Sequence, residues 1–308
     1  MINYCGKQAW KNTQLLGFSV KTREEFDRVI GLGINLVEIR VDKFYTAGTN
    51  FYQLKDGKFD WNECAYYHLL GRLNKAGRGN TVVNFHLPIE KRICGGHELG
   101  LNMSVLEHHD ILLQKFIMLE EAFAATGVGE ILIVHPPIIP PGGEGKALKN
   151  AKIFFDRLDV IRLENGHSTK IGLENMTDPK YKTANLGNKP AHFKAMLKDT
   201  RTIGLTVDTG HRMLAKDYSM RGALKLGIPM VNFHFHGNKG VFNPKNWKDD
   251  QHLLPTKESG NLGEKAYKNF LRFFRRHRTP IILEIAHLEK YTDSELSEFV
   301  ENLKKELE

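Results

Sequence analysis

Six side chains of the kind that bind divalent metals, His86, His135, Glu174, Asp208, His234 and Glu284, recur along the chain, each where a short apolar run ends. Carboxylates and imidazoles suit zinc, manganese, cobalt and magnesium. Such ions polarise oxygens, activate water and steady the negative charge that develops when a proton leaves carbon. Burying so many ionisable groups without a partner costs several kcal/mol per charge, so a shared cation is the economical way to neutralise them. Three further candidates stand close in sequence: His211, three residues beyond Asp208 in VDTGH, and Asp250 and His252 in DQH.

The elements that place these residues follow from periodicity. Apolar runs of strand length occupy 14–20, 35–41, 81–86, 130–135, 170–174, 203–208, 230–235 and 280–284, and helix-length segments separate them. Several of those segments open with a capping-box pattern, a short polar residue followed three later by Glu: Thr22/Glu25, Asp60/Glu63, Ser104/Glu107 and Thr292/Glu295. Parallel strands return through right-handed crossovers, so the repeated βα pattern closes most simply into an α/β fold of the (β/α)8 TIM barrel type, one domain spanning 1–308. The competing open, doubly wound sheet normally carries a glycine-rich phosphate loop after its first strand, and here the chain reads GFSVKTREEF.

Strand alternation then sorts the faces. In the second run Val37, Ile39 and Val41 face outward and Glu38, Arg40 and Asp42 inward. Asn232, His234 and His236 share the inner side of the seventh, and Asn84 goes with His86, Gly172 with Glu174, Thr206 with Asp208, and Ile282 with Glu284. Every proposed ligand faces the axis at the mouth.

Composition sets bounds. Hydrophobic residues at 41% and charged residues at 26% describe an ordinary globular chain, and no apolar stretch approaches the ~20 residues that span a bilayer. MINYCGKQAWKN lacks a secretory core and the three cysteines are scattered, so a cytoplasmic setting is expected. The formal net charge of +8 invites a nucleic-acid reading. Its densest cluster, Arg272, Arg275, Arg276 and Arg278, ends the helix leading into the last strand, at the face opposite the ligands, where cations complement the helix C-terminus.

Motif by motif, the chain resembles the endonuclease IV and xylose isomerase-like TIM barrels, a superfamily of metal-dependent sugar isomerases, epimerases and family 2 apurinic-site (AP) endonucleases. HLP carries His86, VHPP His135, GLENM Glu174, VDTGH Asp208 and His211, FHFHGNKG His234, DQH Asp250 and His252, and ILE Glu284. In the nuclease branch the resemblance implies three zinc ions: one on His86, His135 and Glu174, one on Glu174, Asp208, His234 and Glu284, one on His211, Asp250 and His252. The isomerase branch needs the middle group alone. His234 and His236 both point inward, and the family motif favours His234 as the ligand.

The chain departs from the nuclease pattern where that branch touches DNA. The segment 42–61 lacks a basic, aromatic recognition loop, and 87–102 lacks a Tyr-Leu insertion pair. VDTGH has Gly210 where the nuclease pattern has cysteine, and HLLPTKESGN resembles a loop of isomerase-like members. The leading expectation is therefore an isomerase or epimerase of a sugar or related polyhydroxylated molecule, working by proton transfer through a metal-stabilised enediolate. Zinc or manganese is the expected ion, with cobalt or magnesium also suited, at one to three per chain. Glu174 and Glu284 would act as base and acid, His211 would orient substrate, and Arg40, Lys239 and His236 would contact it. The alternative is a zinc-dependent phosphodiester hydrolase acting on DNA at abasic sites.

Overall fold

The computed structural model describes residues 15–40, 52–55, 58–61, 71, 74, 76, 81–87, 101–126, 129–140, 143–177, 185–215, 219–238, 251–256 and 262–308. Among the described residues there are ten strands: β1 (Leu16–Val20), β2 (Leu36–Arg40), β3 (Tyr52–Lys55), β4 (Lys58–Trp61), β5 (Val82–Leu87), β6 (Gly129–Val134), β7 (Lys170–Glu174), β8 (Ile203–Asp208), β9 (Met230–Phe235) and β10 (Ile281–Leu283). Eight of them pair in parallel and close on themselves in the order β1-β10-β9-β8-β7-β6-β5-β2. The expected eight-stranded barrel is what the chain forms, each strand within two residues of its apolar run.

Helices α1 (Arg23–Gly31), α2 (His109–Thr126), α3 (Glu144–Glu164), α4 (Pro190–Leu197), α5 (Thr209–Leu214), α6 (Met220–Leu224), α7 (Gly263–His277) and α8 (Asp293–Leu307) lie between or after the strands. Among the described residues no helix is long and apolar enough to cross a membrane.

Two of the four capping boxes form, Thr22 with Glu25 on α1 and Thr292 with Glu295 on α8. Ser104/Glu107 does not, and Asp60/Glu63 falls partly outside the described residues. Ser104 turns its hydroxyl to the Ile138 carbonyl at 2.8 Å, and after a short 3-10 turn α2 begins only at His109. Asp60 lies in β4, half of an antiparallel β3–β4 hairpin inserted after β2, and Glu63 lies outside the described residues. At Ser104 the local side-chain pattern is lost to a tertiary partner for the same hydroxyl.

Register is set by apolar faces. Phe233 and Phe235 point outward from β9 onto α7, whose Tyr267, Phe270, Leu271 and Phe274 recur at helical spacing; Phe274 meets the two strand rings at 4.9 and 5.1 Å. Each ring so buried is worth roughly 2 kcal/mol. A one-residue slip would expose both and turn His234 out of the lumen. Inside, Leu15, Leu36 and Ile282 form one apolar cluster, and Ile131, Ile133 and Val231 another. Val231 departs from strict alternation, because the β8–β9 register shifts between Leu205 and Thr206 and its methyls fill the space beside Gly172 and Gly204. A Cβ on Gly172 would stand 2.1 Å from Thr206 Oγ1, so that position admits only glycine unless Thr206 moves.

Candidate metal centre at the barrel mouth

Glu174 and Asp208 are the last residues of β7 and β8, His86 and His234 lie within the ends of β5 and β9, and His135 and Glu284 follow β6 and β10 directly. The ladder pairs Arg40 with His86 and Asp208 with His234, which sets these residues in one rim. One ligand atom from each of Glu174, Asp208, His234 and Glu284 lies within 4.8 Å of the others, and all four residues are buried.

His234 shows what the cluster is built for. Its Nε2 lies 2.8 Å from Glu38 Oε2, and both side chains are fully buried. An ionised carboxylate only accepts, so the ring N–H is on Nε2 and the lone pair on Nδ1. That Nδ1 looks at Glu284 Oε2 at 3.2 Å, Glu174 Oε1 at 3.3 Å and Asp208 Oδ2 at 3.7 Å. Nδ1, Glu174 Oε1 and Glu284 Oε2 are all buried without a hydrogen-bond partner. Acceptors facing acceptors in a low-dielectric site repel unless a cation sits among them, and nitrogen plus carboxylate oxygen is the donor set of a divalent metal. Without a metal the site answers with a proton: although burial disfavours the imidazolium, Glu38, Glu174 and Glu284 push His234 well above the usual histidine range.

Glu174 is the hub. Its Oε2 lies 3.0 Å from His86 Nε2 and 3.5 Å from His135 Nε2, and its Oε1 3.2 Å from His211 Nδ1. Burial alone would raise its pKa, yet the facing His234, His135 and His211 hold it well below the carboxylate range. Burial and the nearby Arg40 cation lower His86, favouring the neutral imidazole that ligates a metal. His86, His135 and Glu174 form a second group of converging ligand atoms, as expected.

The spacing of VDTGH has a local cause. Asp208 is the N-cap of α5, its Oδ1 accepting the His211 N–H at 2.6 Å, so cap geometry fixes His211 beside the strand end. Asn175 completes the frame: its amide bridges the Asp208 backbone N–H and C=O at 2.8 and 3.0 Å, and its own carbonyl lies 2.9 Å from His211 Nδ1. His252 and His236 stack at 4.0 Å near His211, and these three histidines make a third converging group. The resemblance put Asp250 in that group; Asp250 and Lys239 lie outside the described residues.

Arg40 reaches the mouth and pairs with Glu284, Nη1 to Oε1 at 2.7 Å. Burial resists the charge on Glu284, but His252, His234 and Arg40 hold its pKa well below the usual range. Lys21, beside Arg40, donates to the Ala286 carbonyl at 3.0 Å and is lowered by burial and by that guanidinium.

No protein-family model and no curated protein matches the chain. Solved structures do. A D-tagatose 3-epimerase-like protein superposes with TM-score 0.65 at 19% identity, over 95% of this chain and 99% of that one. The IolI protein with a bound zinc atom gives 0.66 at 14%, over 95% and 97%. D-psicose 3-epimerase with D-tagatose, from Clostridium cellulolyticum H10, gives 0.63 at 12%, over 95% and 99%. The fold is that of the xylose isomerase-like barrels. At these identities the likeness extends to architecture alone.

Within this barrel, eight of the expected site residues, His86, His135, Glu174, Asp208, His211, His234, His252 and Glu284, converge at one mouth, with Arg40 and His236 among them. Two positioning residues carried no assigned role from sequence. Alternation turns Glu38 inward but does not reveal that it holds His234 across the barrel, 196 residues away. Asn175 sits next to Glu174 in GLENM, and only its two bonds to Asp208 disclose its part.

Proposed function

We propose that the protein is a metal-dependent epimerase or isomerase of a sugar or similarly polyhydroxylated small molecule. The observation that carries this reading is the Nδ1 lone pair of His234 facing three carboxylates while its N–H is committed to Glu38. Glu174, Asp208, His234 and Glu284 would hold a divalent ion. Bound there, the ion would supply a Lewis acid for neighbouring substrate oxygens and stabilise the negative charge of proton transfer next to a carbonyl.

The chain's own groups account for the proton. Glu174 and Glu284 are both held ionised at the mouth, so either can take a proton from substrate carbon as base, and the other, once it has drawn a proton from solvent, can return one. Their supports differ: Glu174 leans on His86, His135 and His211, while Glu284 is oriented by Arg40. His211, beside Glu174, would orient a substrate hydroxyl. The sugar-epimerase names among the structural neighbours and the zinc of the IolI structure agree with this chemistry.

The test is exchange of a carbon-bound substrate proton with solvent deuterium, followed by NMR over a panel of ketoses and aldoses with zinc, manganese, cobalt or magnesium supplied. Incorporation dependent on both metal and sugar is the expected result, and its absence across the panel with every ion refutes the reading. The second reading, hydrolysis of a phosphodiester at an abasic site, is favoured by one observation: the His86/His135/Glu174 and histidine groups flank the central four, as a multi-ion site requires. Nicking of an abasic duplex by zinc-loaded protein, without deuterium exchange on sugars, would establish it instead.

A further inference from the structure

We infer that the substrate is an anionic sugar, one carrying a carboxylate or phosphate group, and that Lys21 together with Arg40 receives that group at the barrel mouth. The inference rests on the proposed epimerase or isomerase reading and names the class of molecule it acts on. From sequence, Arg40 is a candidate substrate contact and Lys21 carries no assigned role.

Three neighbouring strand ends bring the two cations together. In the barrel β1 lies between β10 and β2; Glu284 follows β10, Lys21 follows β1, and Arg40 ends β2. To bond Glu284, Nη1 to Oε1 at 2.7 Å, the Arg40 side chain must cross the end of β1, where Lys21 stands. Lys21 is fixed there at both ends of the residue. Its backbone N–H donates to Glu25 Oε2 at 2.5 Å, beside the α1 capping box, and its Nζ donates to the Ala286 carbonyl at 3.0 Å. Both residues keep partial exposure, so a molecule entering the mouth can reach them.

The carboxylates around this corner are committed elsewhere. Glu284 Oε1 accepts from Arg40, and its Oε2 faces His234 Nδ1 at 3.2 Å within the proposed ligand set. Glu25 Oε2 accepts the N–H groups of Lys21 and Thr22, and Glu289 Oε1 lies 2.8 Å from His287 Nδ1. The Lys21 ammonium meets the neutral Ala286 carbonyl and, among the described residues, forms no ion pair. Its pKa agrees: burial lowers it most, and repulsion from Arg40 ranks ahead of attraction to Glu284, Glu25 or Glu289. Two cations side by side in a partly desolvated corner repel, and an anionic oxygen between them removes that cost. The ammonium keeps donors beyond the one used on Ala286, and carboxylates and phosphates offer the several acceptors that such donors match. A neutral sugar hydroxyl would satisfy a donor and leave the charge uncompensated.

The experiment takes the full chain supplied with zinc, manganese, cobalt or magnesium and compares sugars matched in carbon skeleton: neutral aldoses and ketoses, their uronic and keto acids, and their phosphate esters. Deuterium exchange gives kcat and KM for each, and isothermal titration with gluconate and with inorganic phosphate reads anion binding without turnover. Acidic sugars should exceed their neutral counterparts in kcat/KM, and whichever acidic series leads tells a carboxylate from a phosphate. Lys21→Met should cut the acidic-over-neutral ratio ~10–100-fold, through KM rather than kcat, as loss of a charge-assisted contact predicts. Lys21→Gln, which keeps a donor but no charge, should stay impaired, and Lys21→Arg should recover most of the ratio. Rescue by charge and not by a neutral donor is what a purely structural bond to Ala286 would fail to give. Circular dichroism with a cooperative melt establishes that each variant folds. An unchanged ratio in folded Lys21→Met, or a wild-type preference for neutral sugars, overturns the inference and leaves the catalytic reading standing. Exchange with no sugar at all refutes the catalytic reading instead. The titrations then decide the anion site by themselves: gluconate or phosphate binding weakened in Lys21→Met supports it, and equal binding in both proteins overturns it.

Discussion

The lumen of the barrel has two floors built from the same strands on opposite principles. Leu36, Ile133 and Ile282 sit in the lower floor, and two residues further along each strand, on the same face, come Glu38, His135 and Glu284. Below, these three side chains are apolar and packed, and burial is favourable at about 25 cal/mol per Å², while Asn84, Thr206 and Asn232 keep polar groups two residues before His86, Asp208 and His234. Above, fully buried carboxylates and imidazoles leave Glu38 Oε1, Glu174 Oε1, His86 Nδ1, His234 Nδ1, His236 Nδ1 and Glu284 Oε2 unpartnered. One pleat thus separates residues that stabilise the fold from residues that the fold must stabilise. The unfavourable upper floor persists because the lower floor and the outer helices over-determine the strands that carry it.

Substitutions that separate the floors should separate activity from stability. The largest effect is expected for Glu284→Gln, which removes a proton-transfer group and a ligand together: metal-dependent deuterium exchange should fall by at least ~10²–10⁴-fold, with a lower urea midpoint as the smaller effect, since Arg40 and His234 lose their carboxylate partner. A midpoint drop with exchange preserved would contradict the division. One floor down, Ile133→Ala should behave inversely, costing about 2–5 kcal/mol in urea unfolding and leaving the exchange rate of the folded protein near wild type. Between them lies Glu38→Gln, which keeps the shape but disturbs the His234 tautomer. Ion affinity at the carboxylate site, by competition with a chelator, should weaken ~10–100-fold, about 1.4–2.7 kcal/mol. The ¹⁵N shifts of His234 should move with it, a signature that a packing defect alone would not give. Smallest is Thr292→Ala, outside both floors, where loss of the α8 capping box should cost about 1 kcal/mol in thermal melting with no change in ion binding or exchange.

Most of the barrel was legible because its strands are short, apolar on the outer face and punctuated by polar turns, and period-two alternation is a purely local signal. That signal placed Glu174, Asp208 and His234 on the inner face and at the strand ends where they lie. It failed at Val231, because a register shift is a property of two strands and not of one. The capping-box pattern succeeded at Thr22 and Thr292, where nothing else competes for the hydroxyl, and failed at Ser104, where the Ile138 carbonyl does. The β3–β4 hairpin is also signalled locally, by the Asp56-Gly57 pair between YQLK and KFDW, but its strands are only four residues each and the capping-box pattern of Asp60 and Glu63 masks that signal.

By itself the sequence determined the eight strands, the inward face of each, and the chemical identity of the rim, because hydrophobic period and residue type are written locally. Only the tertiary structure decided which ring nitrogen of His234 faces the carboxylates, since Glu38 that sets it lies on a strand across the lumen. The same holds for the stacking of His236 on His252, for which Gly210 leaves the room. Partnerships between distant segments depend on closure of the barrel, and closure is cooperative: no single stretch of chain carries the distance that makes a ligand.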